Sequence, residues 1–318
     1  MTKEELKKKV EFVINDHVNK TVSVFVTTDT KGRPQLFNIV DKDLNDLIQM
    51  FVQSIKSVLI DKEYIIENYS TSLKREDVLY VYDIDDKHTP EMETMEEVVG
   101  IQVPEYFDQG VTRIEKINGL YIVIKDENNQ GIITLFKNIT NIDKAYAAST
   151  FLIFGKENQQ FERQRKNMLR ISPSFHMMRV NKDIILIDLD KLEKPLHLDA
   201  ILRREMERDV KILSNELIGD YKKLISVCQQ PKYCKKLRHA LKKSTVVKKI
   251  EDGSLDVRKI IDFVKKNTSL KFHYKDDKFD LKSDAEAIRF IKLMDDDYLL
   301  SELTGVKYDS DIKDPMQA

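Results

Sequence analysis

Tryptophan is absent from this 318-residue chain, cysteine occurs twice, and glycine and proline are sparse at 9 and 7. Each shortage excludes a class of protein. Cys228 and Cys234 are too few for a disulfide framework, and two thiols without a secretory leader suit a reducing cytoplasm. Their spacing fits no zinc template, even with His239 nearby, because a structural zinc site takes four ligands. No metal is therefore expected. The glycines are spread singly, so neither a Walker loop nor a dinucleotide fingerprint exists, and no cofactor is expected. No apolar run approaches the roughly 18 residues that a bilayer requires. The N-terminal TKEELKKKVEFVINDHV mixes acids with lysines and has no apolar centre, so it does not read as a secretory signal. The expected location is the cytoplasm.

Charge is what the chain has in abundance. Asp, Glu, Lys and Arg make up 34% of it, and 53 cations nearly balance 54 acids for a net of −1. The distribution is uneven. Residues 1–110 hold 13 Lys/Arg against 22 Asp/Glu, a net of −9, whereas residues 221–275 hold 16 against 4, a net of +12. Such an asymmetry marks a polyanion-facing region in an otherwise neutral molecule.

The periodicities predict an α+β fold. Residues 3–18 read as a helix, TVSVFVTTD (21–29) and PQLFNIV (34–40) as a hairpin, and 41–60 as the clearest helix of the first half. Asp41 or Asp43 is the expected cap of that helix. Leu44, Leu47, Ile48, Phe51, Val52, Ile55 and Val58 or Leu59 form its apolar stripe, which together with the strand edges is expected to serve self-association. EYIIEN (63–68) and VLYVYDI (78–84) are further strands, followed by a short acidic helix. A strand-rich block then runs over 111–187: VTRIEKI, GLYIVIK, GIITLFK, TFLIFG, FHMMRVN and DIILIDL. Its turn signals, among them Asn118-Gly119, favour antiparallel pairing. From about 189 the period becomes helical. Two domains are expected: residues 1–188 around a largely antiparallel sheet, and residues 189–318, mainly helical.

The segment PKYCKKLRHALKKS (231–244) begins with a proline suited to a first helical turn. At 100° per residue Lys232, Lys235, Lys236, His239 and Lys243 share one side, opposite Tyr233, Leu237, Ala240 and Leu241. With Arg238, Lys242, Lys248, Lys249, Lys265 and Lys266 they form a candidate stripe for phosphates, extended by Arg258 and Lys259. Ordinary surface helices alternate signs, as residues 203–209 do, but no acid occurs between Gln229 and Ile250. Lysine outnumbers arginine here, and an ammonium reads bases poorly, so binding without sequence preference is expected. Replacing Lys235, Lys236, Lys242 and Lys243 by Glu is expected to abolish it and leave the fold intact. Arg163, Arg165, Lys166 and Arg170 form a second basic cluster.

Catalytic candidates are weaker. Asp83 and Asp85 with Lys87, and Asp188 and Asp190 with Lys191, end strands and are the alternative reading as a Mg²⁺ nuclease. Their spacing fits nuclease cores poorly. A scaffold that binds anionic lipid or protein is the third reading. His17, His88, His176, His197, His239 and His273 are scattered, and neither Ser301 nor Thr304 has an evident histidine partner. No catalytic residue is assigned, and the chain is expected not to be an enzyme.

The last stretch, Asp284 to Lys313, organises the second half. Ser283 and Glu286 form a capping box, and Ala287, Ile288, Ile291, Leu293 and Met294 recur at helical spacing. The apolar pattern resumes after Asp295, Asp296 and Asp297 at Tyr298, Leu299, Leu300 and Leu303, and Gly305 sits where a left-handed helix stop is expected. The three acids can cap a turn, hold off a wrong partner or pair with the basic helices. The run Leu293 to Gly305, including Asp296, Asp297, Tyr298, Ser301, Glu302, Leu303 and Thr304, followed by Tyr308 and Lys313, resembles the C-terminal signature of the KwaB-like family. That is the family of the soluble component of Kiwa antiphage systems. The resemblance implies double-stranded DNA as a partner, defence by blocking phage replication or transcription, and a small transmembrane protein that recruits the chain to the inner membrane. A homodimer is expected, since it doubles the phosphate contacts.

Overall fold

The computed structural model describes all residues except 16–18, 29–31, 72–76, 85–87, 109–113, 129–130, 146–153, 158–159, 164–167, 215–216, 267–269, 301–306 and 310–318. At 145, 154–157, 160–163, 212–214, 251, 257, 299–300 and 307–309 it describes the backbone alone. The chain divides into two compact units, residues 1–67 with 76–196, and residues 68–75 with 197–318.

Helix α1 (Lys3–Ile14) opens the first unit with a reciprocal cap, in which Thr2 Oγ1 accepts from the Glu5 N–H and the Glu5 carboxylate from the Thr2 N–H. There follow β1 (Lys20–Thr27), β2 (Gln35–Leu36), α2 (Asp41–Leu59), β3 (Ile65–Asn68), β4 (Val78–Val81) and α3 (Pro90–Gly100). Next come β5 (Gly119–Asp126), β6 (Ile132–Asn138), β7 (Lys144–Ala145), β8 (Phe154–Glu157), β9 (Gln160–Arg163) and β10 (Met168–Leu169). The unit closes with β11 (Met177–Val180), β12 (Asp183–Leu186) and the single turn α4 (Leu189–Leu192). Eight of these strands form one sheet in the order β2-β1-β5-β6-β11-β12-β4-β3. Its ladders from β2 through to β4 are antiparallel.

The central strand β5 is buried on both faces from Gly119 to Ile124, which explains why it reads as a near-continuous apolar run. Leu120, Ile122 and Ile124 join one core with Leu6, Val10 and Val13 of α1 and Phe51, Ile55 and Leu59 of α2. On the other face α3 lies against β5 and β6, burying Met92 and Met95. The unit is thus three layers deep. The stripe of α2 is used up inside this core, with Leu44, Leu47, Ile48 and Val58 packed at its margin, so it is not the self-association surface expected of it. Val40, not Asp41 or Asp43, occupies the N-cap of α2, without a side-chain hydrogen bond. Of VTRIEKI, residues 114–117 are described, and Ile114–Lys116 is a 3-10 turn and not a strand.

Helices dominate the second unit: α5 (Leu198–Ser214), α6 (Lys222–Val227), α7 (Pro231–Lys243), α8 (Thr245–Glu251), α9 (Val257–Lys266) and α10 (Asp284–Met294). A small ladder of β13 (Ile218–Asp220), β15 (Lys278–Asp280) and β14 (Tyr274–Lys275) joins them, with β13 parallel and β14 antiparallel to β15. Phe279, fully buried, meets the rings of Phe272, Tyr274 and Phe290 at 5.1–5.4 Å and ties the ladder to α10. The whole is α+β.

The capping box of α10 is present as the sequence predicts. Its far end differs. Asp296 adopts the left-handed conformation (φ 58°), the Asp297 N–H donates to the Lys292 carbonyl at 2.9 Å, and the Asp296 N–H to that of Leu293. This is a Schellman stop with aspartate in the glycine position. The helix therefore ends before Tyr298, and β16 (Tyr298–Leu300) pairs antiparallel with β17 (Lys307–Asp309). Gly305, the expected stop, lies outside the described residues.

Candidate functional site

Helix α7 starts as its sequence dictates, with Pro231 in the first turn and Cys234, Leu237 and Ala240 buried along its apolar face. Its opposite face is not open. The helix packs against α5, α8, α10 and the 69–71 turn, so Lys235, Lys236 and Arg238 are only 8%, 3% and 5% exposed. The outward stripe drawn at 100° per residue is broken at its centre.

Each buried cation lies against a named partner. Lys236 Nζ lies 2.7 Å from Asp297 Oδ2 and 3.8 Å from Asp295 Oδ2, and Asp297 is wholly enclosed. His239 Nδ1 meets Asp295 Oδ1 at 2.8 Å. Lys235 Nζ stands over the ring of buried Tyr69, 5.4 Å from its centroid. Arg238 and Lys242 flank Asp209 of α5, each at 3.6 Å. The acids that follow α10 therefore clamp the basic helix from within. The carboxylates make the burial of the Lys236 ammonium tolerable, since a lone buried charge costs several kcal/mol.

The remaining cations keep their exposure. Lys232, Lys243, Lys248, Lys249, Lys265 and Lys266 are exposed, Lys242 is half-exposed, and Arg258 and Lys259 add two more. Lys265 Nζ sits 5.3 Å above the Tyr274 ring. Lys232 lies at the N-terminal end of α7; the others lie at its C-terminal end, along α8, and on α9. Burial of Ile260, Ile261 and Val264 turns the charged side of α9 outward.

Among the family-signature positions, Asp297 is in the clamp, while Asp296 and Tyr298 line a pocket of about 250 Å³ with Val246, Leu255, Lys259, Ile260, Phe263 and Leu293. Ser301, Glu302, Leu303, Thr304 and Gly305 lie outside the described residues, and Tyr308 is described only as backbone of β17. Asp188 is an N-cap, accepting the Lys191 N–H at 3.2 Å, which accounts for its place at a strand end. Asp85 and Lys87 lie outside the described residues, as do the side chains of Arg163, Arg165 and Lys166; Arg170 is exposed. Cys228 and Cys234 are buried and unlinked, and burial pushes the Cys234 thiol up to about 11. No cluster of three or more metal-binding side chains occurs among the described residues, and no described helix is long and apolar enough to cross a membrane. Lys137 has one signal in the sequence, a lysine inside the apolar run GIITLFK.

The model of a family described as "Kiwa protein KwaB-like" matches residues 114–304. A curated relative, "Kiwa protein KwaB" of Escherichia coli O55:H7 (strain RM12579 / EPEC), is 24% identical, with 99% of each chain covered. No solved structure matches.

Proposed function

The chain belongs to the Kiwa protein KwaB-like family, that of an antiphage defence component, and from that premise we propose that it binds duplex DNA without sequence preference. The observation that carries this reading is the division of the basic helices. Buried Lys236 and Arg238 are matched by Asp295, Asp297 and Asp209 and Lys235 lies over the Tyr69 ring, whereas Lys243, Lys248, Lys249, Lys265 and Lys266 remain exposed. An exposed cluster of one sign gains affinity by releasing counterions from the phosphate backbone. Bound in this way, and without cutting it, the protein obstructs phage replication or transcription. Function as a homodimer, with a small transmembrane partner that recruits it from the cytoplasm to the inner membrane, completes the proposal.

A gel-shift titration tests it. Lys243→Glu, Lys248→Glu, Lys249→Glu and Lys266→Glu together are expected to weaken binding at least a hundredfold, with an unchanged circular dichroism spectrum. Equal binding by parent and variant overturns the assignment of this surface, and Mg²⁺-dependent loss of the duplex overturns the non-cutting mode. Lys235→Glu and Lys236→Glu do not belong in the test, because both would bury a carboxylate beside acids or an aromatic ring and unfold the unit.

A further inference from the structure

The first unit contains a second polar constellation. Lys137, the penultimate residue of β6, is 3% exposed. Its Nζ donates to Ser172 Oγ at 2.7 Å, to Ser174 Oγ at 2.9 Å and, more weakly, to the Ser174 carbonyl at 3.4 Å. The two hydroxyl oxygens are 3.0 Å apart, so amine and hydroxyls form a closed triangle. Among the described residues no carboxylate comes within ion-pair distance of this nitrogen. Burial, opposed by Asp143 and reinforced by Lys191 and Arg170, holds the Lys137 amine below the usual lysine range. A neutral amine keeps a lone pair that can accept a hydroxyl proton.

The surroundings hold the triangle in place. Pro173 separates the two serines and restricts the backbone between them. The His176 N–H donates to the Phe136 carbonyl at 2.9 Å, and the Asn138 N–H donates to His176 Nδ1 at 3.1 Å, fastening the serine segment to β6. Burial lowers His176 to about 4, so the ring is a neutral acceptor at physiological pH. Ser174 is exposed and Ser172 half-buried, which leaves one hydroxyl open to solvent above an enclosed base. Arg170 and Lys191 are exposed cations near the amine.

We propose that Ser174 and Lys137 are the nucleophile and general base of an acyl-transfer site that hydrolyses an ester bearing an anionic group. Ser174 Oγ bonds to the substrate carbonyl carbon as its proton passes to Lys137 Nζ. Collapse of the tetrahedral intermediate breaks the carbon–oxygen bond, and the Lys137 ammonium returns the proton to the departing alkoxide. Water, deprotonated by the same amine, then attacks the acyl-serine and releases a carboxylic acid and the free hydroxyl. Ser172 is a positioning residue that holds the amine and Ser174 Oγ in register. Arg170 and Lys191 attract the anionic substituent. The site is independent of the DNA-binding reading.

The test uses the full chain, a fluorophosphonate, and two chromogenic probes, p-nitrophenyl hemisuccinate and p-nitrophenyl butyrate. The expected result is one phosphonyl adduct, mapped by mass spectrometry to Ser174, and faster nitrophenol release from the anionic ester. Ser174→Ala is expected to abolish both, and Lys137→Met to slow both about a hundredfold, the usual share of a general base. The labelling rate of the parent is expected to rise with pH around a midpoint well below that of an ordinary lysine. No adduct, an adduct on another residue, ester turnover unchanged in Ser174→Ala, or a lysine-like midpoint near 10.5 overturns the proposal. If Lys137→Met does not fold, Ser174→Ala and the parent's pH profile decide, since Ser174 lies at the surface.

Discussion

Lys236 and Asp297 show how one contact converts a surface helix into a buried one. Their side chains are 3% and 0% exposed and 2.7 Å apart, so each makes the other's burial tolerable. Removing one partner leaves a buried charge poorly compensated. Asp297→Asn is expected to cost about 3 kcal/mol in urea unfolding. Lys236→Met combined with Asp297→Leu is expected to cost less than either single change, because it removes both desolvation penalties together. A double change equal to the sum of the singles would show that the pair is not coupled. The sequence placed lysine and histidine on one side of α7 correctly. It could not show that this side was covered, since the covering acids are 56–61 positions away and charge arithmetic is blind to such pairing.

Among the elements, α10 is held at its start by one carboxylate. Glu286 is 4% exposed and accepts from the backbone N–H groups of His273, Lys282 and Ser283, and from the His273 ring at 2.6 Å. Burial alone would raise this carboxyl, but those donors outweigh it and hold it below its ordinary value of 4.5. Stability from such a group is complete above the unfolded value and is lost as pH falls through the folded one. Glu286→Gln is expected to cost about 1–3 kcal/mol at neutral pH. That deficit should shrink as unfolding is measured at successively lower pH below 4.5; a deficit independent of pH would assign the loss to packing. The box itself was legible as Ser283 and Glu286, three residues apart, but the clamp on His273 was not.

Other elements divide in the same way between local and distant causes. Helix α2 was readable because one period runs through nineteen residues. Gly119 reads as a turn glycine, yet it opens β5 beside Thr27, where a Cβ would lie 2.6 Å from Thr27 Oγ1. Tyr298 to Leu300 continue a helical apolar pattern, but the Schellman stop at Asp296 intervenes and the segment pairs as a strand. The Ser172–Ser174–Lys137 triangle had no sequence signal beyond an odd lysine in an apolar strand, since strand pairing brings its members together across 35 positions.

At the scale of the whole molecule, the net charge of −1 conceals a segment of +12, and only part of that segment faces solvent. With Lys235, Lys236 and Arg238 withdrawn, the exposed set named above holds eight lysines, of which Lys242 is beside Asp209, and this leaves about seven to offer phosphates. Each phosphate neutralised on duplex DNA contributes about −0.9 to the slope of log K against log salt. A slope near −6 is therefore expected for the parent between about 50 and 200 mM salt, equivalent to a loss of roughly three to four decades in affinity. Reversing Lys243, Lys248, Lys249 and Lys266 should make that slope shallower by about 3–4, because four contacts disappear. Reversal of Lys235 or Lys236 is expected to move the unfolding midpoint first. If lysine contacts to phosphate carry the affinity, duplexes rich in A·T and in G·C bind alike, since an ammonium reads neither base edge in a bidentate manner. A slope that stays near −6 in the fourfold variant would place the phosphate contacts on other cations of the chain, with the exposed ends of α7, α8 and α9 left as solvated helix surface.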